Sequence, residues 1–249
     1  MLFRGIIFCA LLAGLAVGIL QTGLQSLLVD PIIFASESYE VVEETPVTAH
    51  VHADGHHHDH EAWAPEDGVE RLFYTGLSNV LVTIGFAAVM LAIMCQTQLQ
   101  GWSRVSVIRG ALWGVAGFIA FFAAPGIGLP PEIPGIEAAT LENRQGWWVL
   151  TVAAFLVGLG LLAFAPIKWK ALSIALFALP YLLGAPHTSG PEFTGEAERV
   201  AALHELHSNF IVASGVTNLL FWLALGIVCA WCVNRWVLKG ASNHAAAHA

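Results

Sequence analysis

Long apolar runs alternate with short polar connections along most of this chain. The first run is Leu2 to Val29, in which Arg4, Gln21 and Gln25 are the strongly polar interruptions. A second covers Leu72 to Cys95 and a third Gly110 to Ala124. The fourth is Trp147 to Ala165, the fifth Ile167 to Ala185 with Pro180 inside it, and the sixth Ser208 to Val233. Several approach or exceed the roughly 20 residues that cross the hydrocarbon of a bilayer. None shows the period-two alternation of a membrane barrel. The pattern predicts an all-α polytopic membrane protein with six transmembrane helices, over residues 1–29, 72–95, 110–124, 147–165, 167–185 and 208–233. The opening run exceeds the apolar core of about 7 to 15 residues in a signal peptide, and no clear A-x-A site follows it, so it reads as a retained helix.

The connections differ in character. Residues 30–71 are acidic and histidine-rich, with too little apolar content in their centre to fold alone, so this loop is expected to be largely disordered. Residues 125–146 open on PGIGLPPEIPG, a stiff turn whose prolines argue against helix. Residues 186–207 hold a small group of histidines, and 234–249 form a tail.

Composition supports the membrane reading: 57% of the residues are hydrophobic and 11% charged, against about 25% charged in an ordinary soluble domain. The placement of charge adds a direction. Arg4, Arg104, Arg109, Lys168, Lys170, Arg235 and Lys239 fall on one side of the six spans, and only Arg71, Arg144 and Arg199 on the other. Basic loops stay inside, so both termini are expected in the cytoplasm, the chain being multi-pass in an inner (cytoplasmic) membrane. All 18 acidic residues and nine of the 11 histidines then face outward. Such a field gathers cations, less so at high salt. A net charge of −8 offers nothing to nucleic acid.

The densest candidate chemistry is HVHADGHHHDHE, His50 to Glu61. His50, His52, His56, His57, His58 and His60, with Asp54 and Asp59, are the imidazole and carboxylate ligands that borderline divalent metals take. The ligands do not choose among cobalt, nickel and zinc. Each must be free of its proton, so capture should weaken as pH falls through the histidine range. A second group is His187, His204 and His207, the last two sharing a helical face. HELH is not the HExxH of zinc proteases, so no enzyme is implied. Glu132 is the one charge in the proline-rich turn and a candidate cation-facing group. Within the spans, Gln21, Gln25, Asn79 and Asn218 are pathway candidates, and His207, Asn218 and Cys229 recur every eleven residues along one face. Cys9, Cys95, Cys229 and Cys232 all fall toward the inner side, which argues against structural disulfides. Cys229-Ala-Trp-Cys232 reads as small packing residues. No phosphate-binding GxxxxGK[ST] loop is present in the chain.

Several stretches together resemble the CbtA-type family of predicted cobalt transporter subunits. They are Asp30-Pro31-Ile32-Ile33 with Glu37-Ser38-Tyr39-Glu40, Arg71 with Thr75 and Asn79, and PGIGLPPEIPG followed by Arg144-Gln145-Gly146-Trp147-Trp148. Pro180, Gly184-Ala185-Pro186-His187, Asn218, Phe221-Trp222 and Gly226 complete the likeness. The resemblance implies a cobalt uptake component linked to cobalamin biosynthesis, working with a small single-span partner that bears histidines. The expectation is therefore a transporter subunit whose outer histidine-rich loop captures a divalent metal, cobalt first. The alternative is a membrane metal sensor or accessory protein that binds metal and moves none.

Overall fold

The structure, a computed structural model, describes residues 2–40 and 65–237. The tract from His50 to Glu61 and the tail from residue 238 lie outside the described residues. Among the described residues there are helices and no strands. We number them α1 (Leu2–Leu28), α2 (Asp30–Glu40), α3 (Val69–Leu99), α4 (Val107–Gly128), α5 (Leu141–Phe164), α6 (Ile167–Leu183) and α7 (Ala197–Val237). Five of them, α1, α3, α4, α5 and α7, are long and apolar enough to cross a membrane. The outward faces of the bundle leave Phe3, Leu15, Leu81, Ile93, Ile108 and, on α6, Ile174 exposed. So much exposed apolar surface is sustainable only against lipid.

The helices alternate in direction. Gly5 of α1 packs beside Val237, and Gly18 against Val80, so α1 runs antiparallel to both α7 and α3. Trp147 sits under Gly128, Phe177 beside Gly158, and Phe122 beside Gly215, so α4, α5 and α6 reverse in turn and α7 opposes α4. α6 therefore carries the chain back along α5. One end of the bundle collects Arg104, Arg109, Lys168 and Arg235 and is called the basic end below; the other collects α2 and the 129–140 and 184–196 connections and is called the acidic end.

Close approach, rather than burial of bulk, joins α4 to α7. A Cβ on Gly110 would lie 2.6 Å from both the Gly226 carbonyl oxygen and the Ala230 Cβ, and one on Gly114 would meet the Trp222 carbonyl. Small residues of this kind let helix backbones meet in lipid, where no hydrophobic force drives them together. Two apolar clusters result. The larger joins α1, α3 and α7 toward the basic end around Leu91, Met94, Leu225 and Val233. The smaller caps the acidic end, where Val29, Ile133, Phe193, Leu203 and Phe210 are buried together with Ile32, Ile33 and Tyr39 packed on them.

Three sequence expectations are corrected. Helix extends through Gly128, so the first residues of the proline-rich stretch are helical. The turn before them, Ile119–Ala123, is widened to π geometry, with the Ala124 amide donating to the Ile119 carbonyl. Pro125 has no amide to give, and the wider turn absorbs its ring without ending the helix. The 186–207 stretch is not all loop, because α7 starts at Ala197 and carries His204 and His207 on its first turns. The loop predicted from residue 30 begins as helix α2, whose Asp30-Pro31 start suits the helix dipole and the first-turn preference for proline.

Candidate functional site at the acidic end

The motifs that lie far apart in sequence meet at one junction. The Trp147 indole N–H donates to the Pro180 carbonyl at 3.0 Å, and the Tyr181 hydroxyl donates to the Ala124 carbonyl at 2.8 Å. A Cβ on Gly128 would strike the Trp147 ring and lie 3.0 Å from Ala185. Gly184, at φ +82°, ends α6 in a conformation that favours glycine and turns the chain toward Pro186 and His187. The proline, tryptophan and glycine signatures thus fasten α4, α5 and α6 to each other. Replacing Tyr181 by Phe is expected to cost about 1 kcal/mol, the net worth of one such hydrogen bond. Thermal unfolding in detergent would show it, and an unchanged midpoint would mean that the bond holds nothing.

From this junction the non-helical stretch after Gly128 crosses to α7. His207 is more than nine-tenths buried, and its Nε2 lies 3.1 Å from the Pro131 carbonyl. A carbonyl only accepts, so Nε2 carries the hydrogen and the lone pair of neutral His207 is on Nδ1. His204, three residues away, is exposed. Phe193 meets both rings edge-on, at 5.0 Å from His204 and 6.0 Å from His207. The next residue of the turn, Glu132, forms an ion pair with Arg144 of α5, and the two side chains are 24% and 29% exposed. Arg144 Nε is buried with no hydrogen-bond partner. Beside the pair opens a cavity of about 640 Å³ lined by Leu129, Pro131, Glu132, Gln145 and Trp148 among others. His187 is exposed in the neighbouring connection, which is stitched to the turn by Thr188 donating to the Glu137 carbonyl at 3.1 Å.

The histidine tract has no described position, but its two flanks do. Arg71 of α3 donates to Glu37 of α2 at 2.8 and 3.3 Å and to Asp67 at 3.0 Å, and its guanidinium lies 4.8 Å from the Phe34 ring. Residues 37 and 71 are therefore held together at the same end of the bundle as His207 and Glu132. The sequence offers Arg71 without its partner, and it gives no sign of Phe193, because one Phe in a loop carries no signal.

Of the pathway candidates, Gln25 and Asn79 fall on the α1–α3 interface. Asn79 donates to Gln25 at 2.6 Å and to Thr22 at 3.1 Å, joining α3 to α1. Gln21 is buried and its Oε1 has no partner. Asn218 donates to the Ser214 carbonyl of its own helix at 3.0 Å. The expected row of His207, Asn218 and Cys229 is not a continuous line of donors. Between Asn218 and Cys229 the buried face of α7 is Phe221, Trp222 and Leu225. Trp222 packs with Phe86 at 5.0 Å and Phe121 at 5.1 Å, an aromatic layer across the middle of the bundle. Among the described residues no three of His, Cys, Asp and Glu are gathered closely enough to hold a metal ion.

A family model described as probable cobalt transporter subunit (CbtA) matches residues 3–234. No curated protein and no solved structure matches the chain.

Proposed function

Because this chain belongs to the family of probable cobalt transporter subunits (CbtA), we propose that it gathers a divalent cation at its acidic end and passes it through the bundle. Cobalt is the first candidate cargo; nickel and zinc satisfy the same ligands. The observation that carries this reading is the meeting of His207, the Glu132–Arg144 pair and the clamped flanks of the histidine tract at one end of a membrane bundle. His50, His52, His56, His57, His58 and His60, with Asp54 and Asp59, are the collector. His187, His204, His207 and Glu132 form the mouth behind it. Gln21, Gln25, Asn79 and Asn218 line the first part of the route.

In this reading α6 is a sixth span. Its 17 residues rise about 25 Å, slightly short of a hydrocarbon core of about 30 Å. It returns the chain from the basic to the acidic end, which α7 needs in order to start there. Six spans with a basic inner face place both termini in the cytoplasm and the chain in an inner membrane. As a transporter subunit the chain works with partner subunits; we assign a small single-span, histidine-bearing protein to that role.

The aromatic layer of Phe86, Phe121 and Trp222 favours a second reading, a membrane sensor or accessory protein that binds metal and lets none through. Uptake of radioactive cobalt into cells separates the two. Deleting His50 to His60 is expected to lower uptake several-fold at limiting cobalt and leave it nearly unchanged at saturating cobalt. An equal loss at both concentrations would show the tract to be part of the route, and cobalt binding without accumulation would eliminate transport.

A further inference from the structure

The sulfur atoms of this protein are not scattered. Among the described residues every sulfur-bearing side chain belongs to one buried cluster: Cys9 of α1, Met90, Met94 and Cys95 of α3, and Cys229 and Cys232 of α7. Met90 is 7% exposed and the other five at most 1%. Apolar residues in general fill both ends of the bundle, whereas these six gather on the basic side of the aromatic layer. Cys9 Sγ lies 3.9 Å from the Cys232 carbonyl, and Cys229 and Cys232 are three apart on one face of α7.

Electrostatics gives this gathering a use. The cost of bringing an ion into a low-dielectric interior rises steeply with its charge, and a dication is carried only where negative charge meets it. Among the described residues the buried side chains include no Asp, Glu, Lys, Arg or Tyr; the titratable ones are His207 and the four cysteines. A neutral imidazole donates a lone pair but cancels no charge. A thiol does both, because a thiol that coordinates a divalent metal gives up its proton. On the basic side of the aromatic layer the cysteines are thus the groups that can make a divalent cation neutral.

We propose that Cys9, Cys95, Cys229 and Cys232, flanked by the thioethers of Met90 and Met94, bind the divalent cation in transit as a neutral dithiolate. This rests on the transport reading above. One ion binds two thiols: two S–H bonds break, two metal–sulfur bonds form, two protons leave to water at the basic end, and the metal keeps its oxidation state. Among the described residues no three of His, Cys, Asp and Glu are gathered for an ion, so the dithiolate draws on two thiols with the thioethers of Met90 and Met94 beside them. Sulfur donors favour cobalt, nickel and zinc over magnesium and calcium, so the station rejects the hard cations that the acidic outer surface collects without discrimination. A purely structural role would use the same residues as small apolar filler, and the two roles differ spectroscopically.

The test is a titration of the reduced, detergent-purified full chain with cobalt chloride, reading the near-ultraviolet thiolate-to-cobalt charge-transfer absorption. The expected result is a band that saturates, survives deletion of His50 to His60, and is lost in a Cys229→Ser/Cys232→Ser chain. A folded elution profile on gel filtration certifies that variant, with Cys9→Ala/Cys95→Ala as the second pair should it fail. Saturation with cobalt without such a band in the unaltered chain would overturn the proposal, as would a band that both double variants retain. The failures are separable: a band without cellular uptake sinks the transport reading alone, and uptake that persists without the thiols sinks the sulfur station alone.

Discussion

Gly226→Leu is expected to abolish the folded protein. A Cβ at position 226 would fall on the Gly110 carbonyl oxygen and lie 2.6 Å from the Gly114 nitrogen and 3.0 Å from its Cα. These are backbone atoms of α4, and they recede only if the whole helix moves away from α7. Overpacking a core usually costs about 1–3 kcal/mol. Here three further carbons would enter a backbone-to-backbone contact, so the upper end of that range or beyond is expected. The loss would spread, because α4 carries the turn that presents Pro131 and Glu132 to His207 and Arg144. Gly85→Leu is the control: nothing lies within 4 Å of a Cβ there, and a change of about 0.5 kcal/mol or less is expected. Gel filtration of both variants in detergent checks this. A monodisperse Gly226→Leu protein with unchanged thermal stability would refute the account of how α4 and α7 meet.

The second large effect is expected at the ion pair. Glu132→Ala leaves Arg144 partly buried, with its Nε already lacking a partner. Removing one member of a fully buried pair costs about 3–5 kcal/mol, because the other charge is left uncompensated. With 24% and 29% of the two side chains exposed, water relieves part of that, and about 1–3 kcal/mol is expected. Arg144→Ala should cost a similar amount, and the double variant less than the sum, since the stranded charge is then gone. Additive single effects in thermal unfolding would show that the pair is not coupled. If Glu132 also faces the cargo, Glu132→Gln should lower cobalt uptake about tenfold or more while keeping a better-folded protein than Glu132→Ala.

What could be read from the residues follows from what hydrophobicity reports. It marks where chain meets lipid, so the apolar runs landed on α1, α3, α4, α5, α6 and α7 in the right order. It does not mark where a helix continues into water, and α7 runs eleven residues upstream of Ser208 through AERVAALHELH. The glycine and proline signals were visible, yet their reasons were tertiary: Gly128 is needed under Trp147, and Pro125 is accommodated by a π turn that leaves no trace in the sequence. For the site, residue type was legible and pairing was not. Glu132 and His207 stood out as a charge and an imidazole, but Arg144 and the Pro131 carbonyl as their partners follow from how α5 and α7 pack. The cysteines are the sharper case. CAWC in an apolar helix reads as filler until Cys9 and Cys95, from the far ends of the first two long helices, arrive beside it.

The role proposed for this bundle is to move a divalent cation from its acidic to its basic end as part of a transport system. The direct measurement is accumulation of radioactive cobalt by cells that carry the chain with its partner subunits, against the same cells carrying the His207→Ala or Glu132→Ala chain at equal membrane abundance. Time-dependent accumulation of cobalt beyond the surface-bound amount is expected, reduced at least severalfold by either substitution. Cobalt that stays bound at the surface and is stripped by an external chelator, with no internal pool in the unaltered cells, would contradict it.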